Sequence, residues 1–214
     1  MSTTPAVICL DLGGSFVKLG VMDAQQQLTM LDQQTIPADS WQDFTALVSR
    51  MIEQHQQHFS TDSPLAISTA GIVAPDSGEM FASNIPAFHQ RNLSQALGEL
   101  LQRKVIVHND ADCFTFAEAQ AGVGKGHKVV FGAILGSGVG RGLVADGRII
   151  TGQNGLTGEW GHGPITLTEA DIEGDTIRLP RQSCPCGPTG CLASYGGARG
   201  PVNSHRTLPC LHSS

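Results

Sequence analysis

VICLDLGGSFVKLGVMD, residues 7–23, decides the fold. Two apolar, strand-like runs are joined through DLGGS, and a further strand-like stretch ends near Ile36, so the opening reads as a meander. Asp11 closes the first strand. Gly13, Gly14 and Ser15 then make a turn whose backbone N–H groups can approach a phosphate with no Cβ in the way. A carboxylate beside such a turn can hold a hydrated magnesium ion.

Outward from this hairpin the chain alternates. Trp41, Phe44, Leu47, Val48, Met51 and Ile52 recur at helical spacing up to about His58, after Asp39-Ser40 as an N-cap. A strand at 65–68, a helix at 93–101, a strand at 105–107 and a helix at 111–121 continue the order, which implies helices packed on a sheet, an α/β fold. VVFGAIL and GLVADG then flank GSGVGR, repeating the first hairpin, with Gly136, Ser137 and Gly138 in the turn. Two such loops facing each other clamp a triphosphate. Either alone is also read as a tight hairpin turn. No Gly-Lys-Ser/Thr and no GxGxxG between strand and helix is present, which removes the P-loop and Rossmann readings.

Three clusters carry chemistry. HNDADCF puts His108, Asn109, Asp110 and Asp112 where a strand gives way to a helix, a place for a general base. Helix capping is the commoner use of such residues. GLTGEWGHGP sets Glu159 and His162 three apart between glycines, able to converge on one small polyol, or to form a salt-bridged surface loop. CPCGPTGC supplies Cys184, Cys186 and Cys191 within eight residues, and His162 upstream completes a three-sulfur, one-nitrogen set suited to tetrahedral zinc. With no ligand position left open, such a zinc is structural.

Composition narrows the partners. A formal net charge of −6 and a pI near 5.7 over 214 residues leave no basic face for nucleic acid or anionic lipid. The start, MSTTPAVICL, has no cationic n-region, and Asp11 interrupts the apolar run, so neither a signal peptide nor a membrane span is expected and the cytoplasm is the default location.

In order, DLGGSFVKLGVMD, STAGIVAP, SNIP, NDADCF, LGSGVGRG, GLTGEWGH and CPCGPTGC resemble the ROK family of sugar kinases, most nearly its bacterial N-acetylglucosamine kinases. The resemblance covers about residues 6–200. It implies an actin-like ATPase, ribonuclease H-like, two-lobed hexokinase fold with an incomplete second lobe. The expected boundaries are 1–118 for the first lobe, 119–200 for a partial second lobe and 201–214 for an unrelated tail.

The implied activity is ATP-dependent phosphorylation of a hexose or N-acetylhexosamine at its 6-hydroxyl, with Mg2+ as cofactor and Zn2+ as a structural ion. By position, Asp110 resembles the catalytic base. Gly71, Asn84, Asn109, Glu159 and His162 are similar to sugar-binding residues, with His162 also ligating zinc. Asp11, Gly13, Gly14, Ser15, Gly136, Ser137 and Gly138 fall where magnesium and phosphates are held. Partners are therefore a sugar and ATP, with a homodimer common among relatives.

Two departures stand out. Ala193 occupies a position two past the last zinc cysteine where the family usually has an acid, and the fourteen residues after Gly200 resemble nothing in it, reading as a frameshifted or artificial tail. These favour an alternative, an inactive truncated copy that keeps zinc and some sugar contacts. A ROK repressor needs a helix-turn-helix before the first loop, and only ten residues precede Asp11.

Overall fold

The computed structural model describes residues 6–82, 85–136, 138–153, 155, 157, 160–172, 174–178, 180–184 and 186–197. The chain divides into two compact units, one of residues 1–113 and 151–156, the other of 114–150 and 157–214.

The first unit is built on a five-stranded sheet. Strands β1 (Val7–Leu12), β2 (Phe16–Met22) and β3 (Leu28–Thr35) form the antiparallel meander, and helix α1 (Trp41–Gln54) leads to β4 (Leu65–Thr69). A short β5 (Ile72–Val73) and β6 (Met80–Phe81) pair with each other, and helix α2 (Leu93–Leu101) leads to β7 (Val105–Asn109). The order in the sheet is β3-β2-β1-β4-β7, with β1, β4 and β7 parallel.

Alternation in β1 gives the sheet its two faces. Ile8, Leu10 and Leu12 point into the core, while Val7, Cys9 and Asp11 point the other way. The core face is covered by Phe44, Val48 and Met51 of α1 and by Leu93 and Leu97 of α2, all buried with Leu65 and Ile67 in one cluster. Phe44 and Phe88 meet edge to face at 4.6 Å, a geometry favoured by the ring quadrupoles. Both helices start on the residues the sequence offers: the Asp43 N–H donates to the Ser40 hydroxyl, and the Gln95 N–H to the Asn92 side chain.

Helix α3 (Asp110–Ala121) begins in the first unit and continues into the second. There β8 (Val129–Leu135), β9 (Val139–Ala145) and β10 (Arg148–Ile149) form a three-stranded antiparallel sheet. Gly132 lies against Thr115 of α3, where a Cβ would have no room. The unit ends in a hairpin of β11 (Glu169–Ile172) and β12 (Asp175–Arg178), a cysteine-bearing turn and the four-residue helix α4 (Ala193–Gly196). No helix among the described residues is long and apolar enough to cross a membrane.

Candidate functional site

In the first unit the polar residues gather at the carboxyl ends of the parallel strands, the usual ligand-binding edge of an α/β sheet. Lys18, Asp11, Ser68 and His108 are successive cross-strand partners on β2, β1, β4 and β7, so they form one row on the face opposite the core. The Lys18 ammonium lies 3.3 Å from the Asp11 carboxylate. Ser68 hydrogen-bonds the Cys113 thiol, fastening the start of α3 over this face. Burial pushes that thiol up to about 11, so it is protonated and packs as a small hydrophobe.

At the edge of this row stand Asn109 and Asp110. Asn109 is the cap that the sequence allowed: its Oδ1 accepts from the Ala111 N–H at 2.9 Å and from the Asp112 N–H at 3.3 Å. Its Nδ2 donates to the Gly71 carbonyl at 2.8 Å. One of its amide hydrogens is thus spent on Gly71, and the same side chain also hydrogen-bonds the Asp110 carboxylate.

Asp110 accepts from the Ala111 N–H at 2.9 Å through Oδ1. Burial chiefly, and the Asp11 charge after it, raise its carboxyl above the ordinary aspartate range, although the Ala111 bond pulls the other way. A carboxylate raised in this way is a better proton acceptor than an ordinary aspartate.

Gly71 has φ of +108°, and a Cβ there would meet the Phe81 carbonyl at 2.9 Å. Glycine is required by the chain itself. Gly14 and Gly138 differ, since a Cβ on either would meet nothing within 4 Å. The fold does not need glycine at those two positions, and the space that a side chain would fill is open to a ligand approaching the backbone. Gly13 donates its N–H to the Phe16 carbonyl and Gly136 to the Gly138 carbonyl, both at 3.0 Å, so these two amides close their hairpins.

In the second unit His162, Cys184, Cys186 and Cys191 bring their ligand atoms within 4.8 Å of one another. Cys184 Sγ lies 3.4 Å from His162 Nδ1 and 3.3 Å from Cys186 Sγ, which lies 3.6 Å from Cys191 Sγ. Tetrahedral zinc with sulfur ligands at about 2.3 Å needs edges of roughly 3.5–3.8 Å, so the set fits zinc with little adjustment. Burial alone would raise the Cys184 thiol, but hydrogen bonds from Cys186, His162 and Cys191 bring it down to about 6. Its bond to Cys184 holds Cys186 up to about 12.

Glycines shape this turn. Gly187 and Gly190 have φ of +108° and +84°, and Gly190 donates to the Gln182 carbonyl. The His162 segment is fastened by Leu192 N–H donating to the Gly163 carbonyl, and Gly161 sits against β9 where a Cβ would strike the Val139 carbonyl at 2.6 Å.

Asn84, Ser137 and Glu159, expected in the sugar and phosphate sites, lie outside the described residues, as does the segment 198–214. The structure thus brings Asp11, Gly71, Asn109 and Asp110 to one edge of the first unit and the four zinc-type ligands together in the second. The sequence reading passed over Lys18, Ser68 and Cys113. The strand register, which sets Lys18 opposite Asp11 and Ser68 beside it, marks the first two, and the bond to Ser68 marks Cys113.

The ROK family profile matches residues 7–204. An N-acetyl-D-glucosamine kinase of Pectobacterium atrosepticum is 35% identical over 190 residues, 89% of this chain and 62% of that protein. An N-acetylgalactosamine kinase of a Shewanella species is also 35% identical, over 89% of this chain and 60% of its own length. A ROK glucokinase of Streptomyces griseus, solved with glucose and AMPPNP, superposes with a TM-score of 0.75 at 23% identity over 92% of this chain and 59% of that one. The fold is therefore the actin-like ATPase fold of these hexokinases, and the chain spans about three fifths of the length of these relatives.

Proposed function

The chain belongs to the ROK family, and from that membership we propose that it transfers the terminal phosphoryl group of ATP to the 6-hydroxyl of a hexose or N-acetylhexosamine, N-acetylglucosamine first among them. The observation that carries the reading is Asp110. Its carboxyl is raised by burial and by Asp11, it sits at the sheet edge where ligands bind, and its neighbour Asn109 is anchored on both sides.

Phosphoryl transfer passes through a loose transition state, so the protein contributes mainly position and charge. Asp110 orients the attacking hydroxyl and takes its proton as the bond to phosphorus forms. The fixed cap holds Asp110 in place, because Asn109 cannot turn without giving up its bonds to α3 and Gly71. Asn109 is itself proposed as a sugar contact. Gly14 and Ser15 in the first turn, and Ser137 and Gly138 in the second, are proposed to receive phosphate oxygens. Magnesium, when bound, supplies positive charge to the phosphates, and Asp11 is the carboxylate proposed to hold it.

His162, Cys184, Cys186 and Cys191 are proposed to hold zinc, which ties the Trp160–His162 turn to the cysteine loop. His162 is also proposed as a sugar contact, as are Gly71, Asn84 and Glu159.

A second reading, a chain that holds zinc and sugar without turnover, is favoured by Ala193, whose methyl offers no acceptor at the start of α4. Asp110→Asn separates the two. Loss of turnover by at least about a hundredfold with sugar affinity retained supports catalysis by Asp110; an unchanged rate refutes that role.

A further inference from the structure

The first glycine turn has no lysine of the kind that P-loops use to neutralise phosphate, yet two carboxylates, Asp11 and Asp110, stand beside it. A polyphosphate brought here meets like charge unless cations answer it. The remaining cations of this unit lie elsewhere. Arg103 donates to the Ser63 carbonyl, just before the amino end of β4, and Lys104 precedes the amino end of β7. Arg91 stacks on Trp41 at 4.9 Å, and Arg50 is on α1, which covers the core face.

Lys18 is left at the carboxyl edge. It is rooted three residues past Ser15, directly across the ladder from Asp11, on the same face. Its side chain is 44% exposed and that of Asp11 49%, with 3.3 Å between the charged atoms. An ion pair so wet contributes little to stability and is readily exchanged for a better partner.

Resting on the kinase reading above, we propose that Lys18 is a phosphate-binding residue of this site: it leaves Asp11 to meet a phosphate oxygen of the nucleotide, and in leaving it frees the Asp11 carboxylate for the magnesium ion's hydration shell. The exchange couples the two cations, since each step that draws Lys18 to phosphate also bares the acid that a metal needs. Ammonium on a flexible four-carbon stem is suited to this movement.

The test measures binding by calorimetry on the full chain, with MgATP and with magnesium tripolyphosphate, for the wild type, Lys18→Met and Lys18→Arg. Lys18→Met keeps the aliphatic stem, and melting curves check that it folds. It is expected to weaken both ligands about tenfold and to flatten the salt dependence, while Lys18→Arg keeps most of the affinity. Equal or tighter binding by Lys18→Met overturns the role of Lys18 and leaves the kinase reading standing. A wild type that binds neither ligand overturns both.

Discussion

Replacing Gly71 with alanine tests how the catalytic edge is held. The residue has φ of +108°, and the added Cβ would lie 2.9 Å from the Phe81 carbonyl oxygen, 3.1 Å from the Ala82 Cβ and 3.2 Å from its Cα. A Cβ on a left-handed residue costs about 1–2 kcal/mol. Crowding against backbone, which cannot rotate aside, adds roughly 1–3 kcal/mol. Relaxation moves the Gly71 carbonyl away from the Asn109 Nδ2, whose 2.8 Å bond contributes about 1 kcal/mol. The sum, roughly 3–6 kcal/mol, corresponds to a fall in Tm of about 6–24 °C for a chain of this size. Differential scanning calorimetry measures it, with zinc content as a control, because the cysteine cluster belongs to the other unit. Turnover should fall further than the loss of folded protein explains, since Asn109 sets the start of α3 and Asp110 with it. A Gly71→Ala chain melting within about 2 °C of the wild type would refute the strain and the anchoring derived from it.

The zinc-type cluster predicts one zinc per chain by elemental analysis, lost in Cys191→Ser. A chelator should lower the Tm of the wild type and leave that of Cys191→Ser unmoved. A wild type purified without zinc and indifferent to chelation contradicts the assignment. Asp110 also predicts a pH effect on stability. Its carboxyl is raised in the folded chain, first by burial, so the favourable term is complete below the unfolded value of about 3.9 and is lost as pH rises through the raised value. Asp110→Asn, which keeps the acceptor for the Ala111 N–H, should therefore melt above the wild type at pH 7, with the advantage gone near pH 3–4. Equal melting at pH 7 would show that the buried charge carries no penalty.

Much of this was readable from residue order. The expected helix over 93–101 is α2, and Ser40 caps α1 as its Asp39-Ser40 lead suggested. Apolar periodicity in both, and the Ser40 cap in α1, made these segments local problems. Both glycine hairpins form as their flanking runs implied, because a two- or three-residue turn leaves antiparallel strands few registers. The β11-β12 hairpin escaped the reading, since TEADIEGDTIR carries too few apolar residues at period two to mark a strand.

The site divides in the same way. Four zinc-type ligands were visible in the cysteine spacing and the histidine upstream. For HNDADCF the sequence allowed both a cap and a base, and the structure gives the cap to Asn109 while Asp110 accepts from the Ala111 N–H and keeps a raised carboxyl. Lys18 and Ser68 stayed hidden because their meaning is a cross-strand register, formed by residues seven and fifty-seven positions from Asp11.

The central claim is tested most directly by following ADP release from the full 214-residue chain with MgATP and a panel of hexoses and N-acetylhexosamines, and by identifying the phosphorylated product. Sugar-dependent ADP release that yields a 6-phosphate, fastest with N-acetylglucosamine and abolished in Asp110→Asn, is the predicted result. Release that no sugar accelerates, from a chain that binds zinc and melts cooperatively, would contradict it.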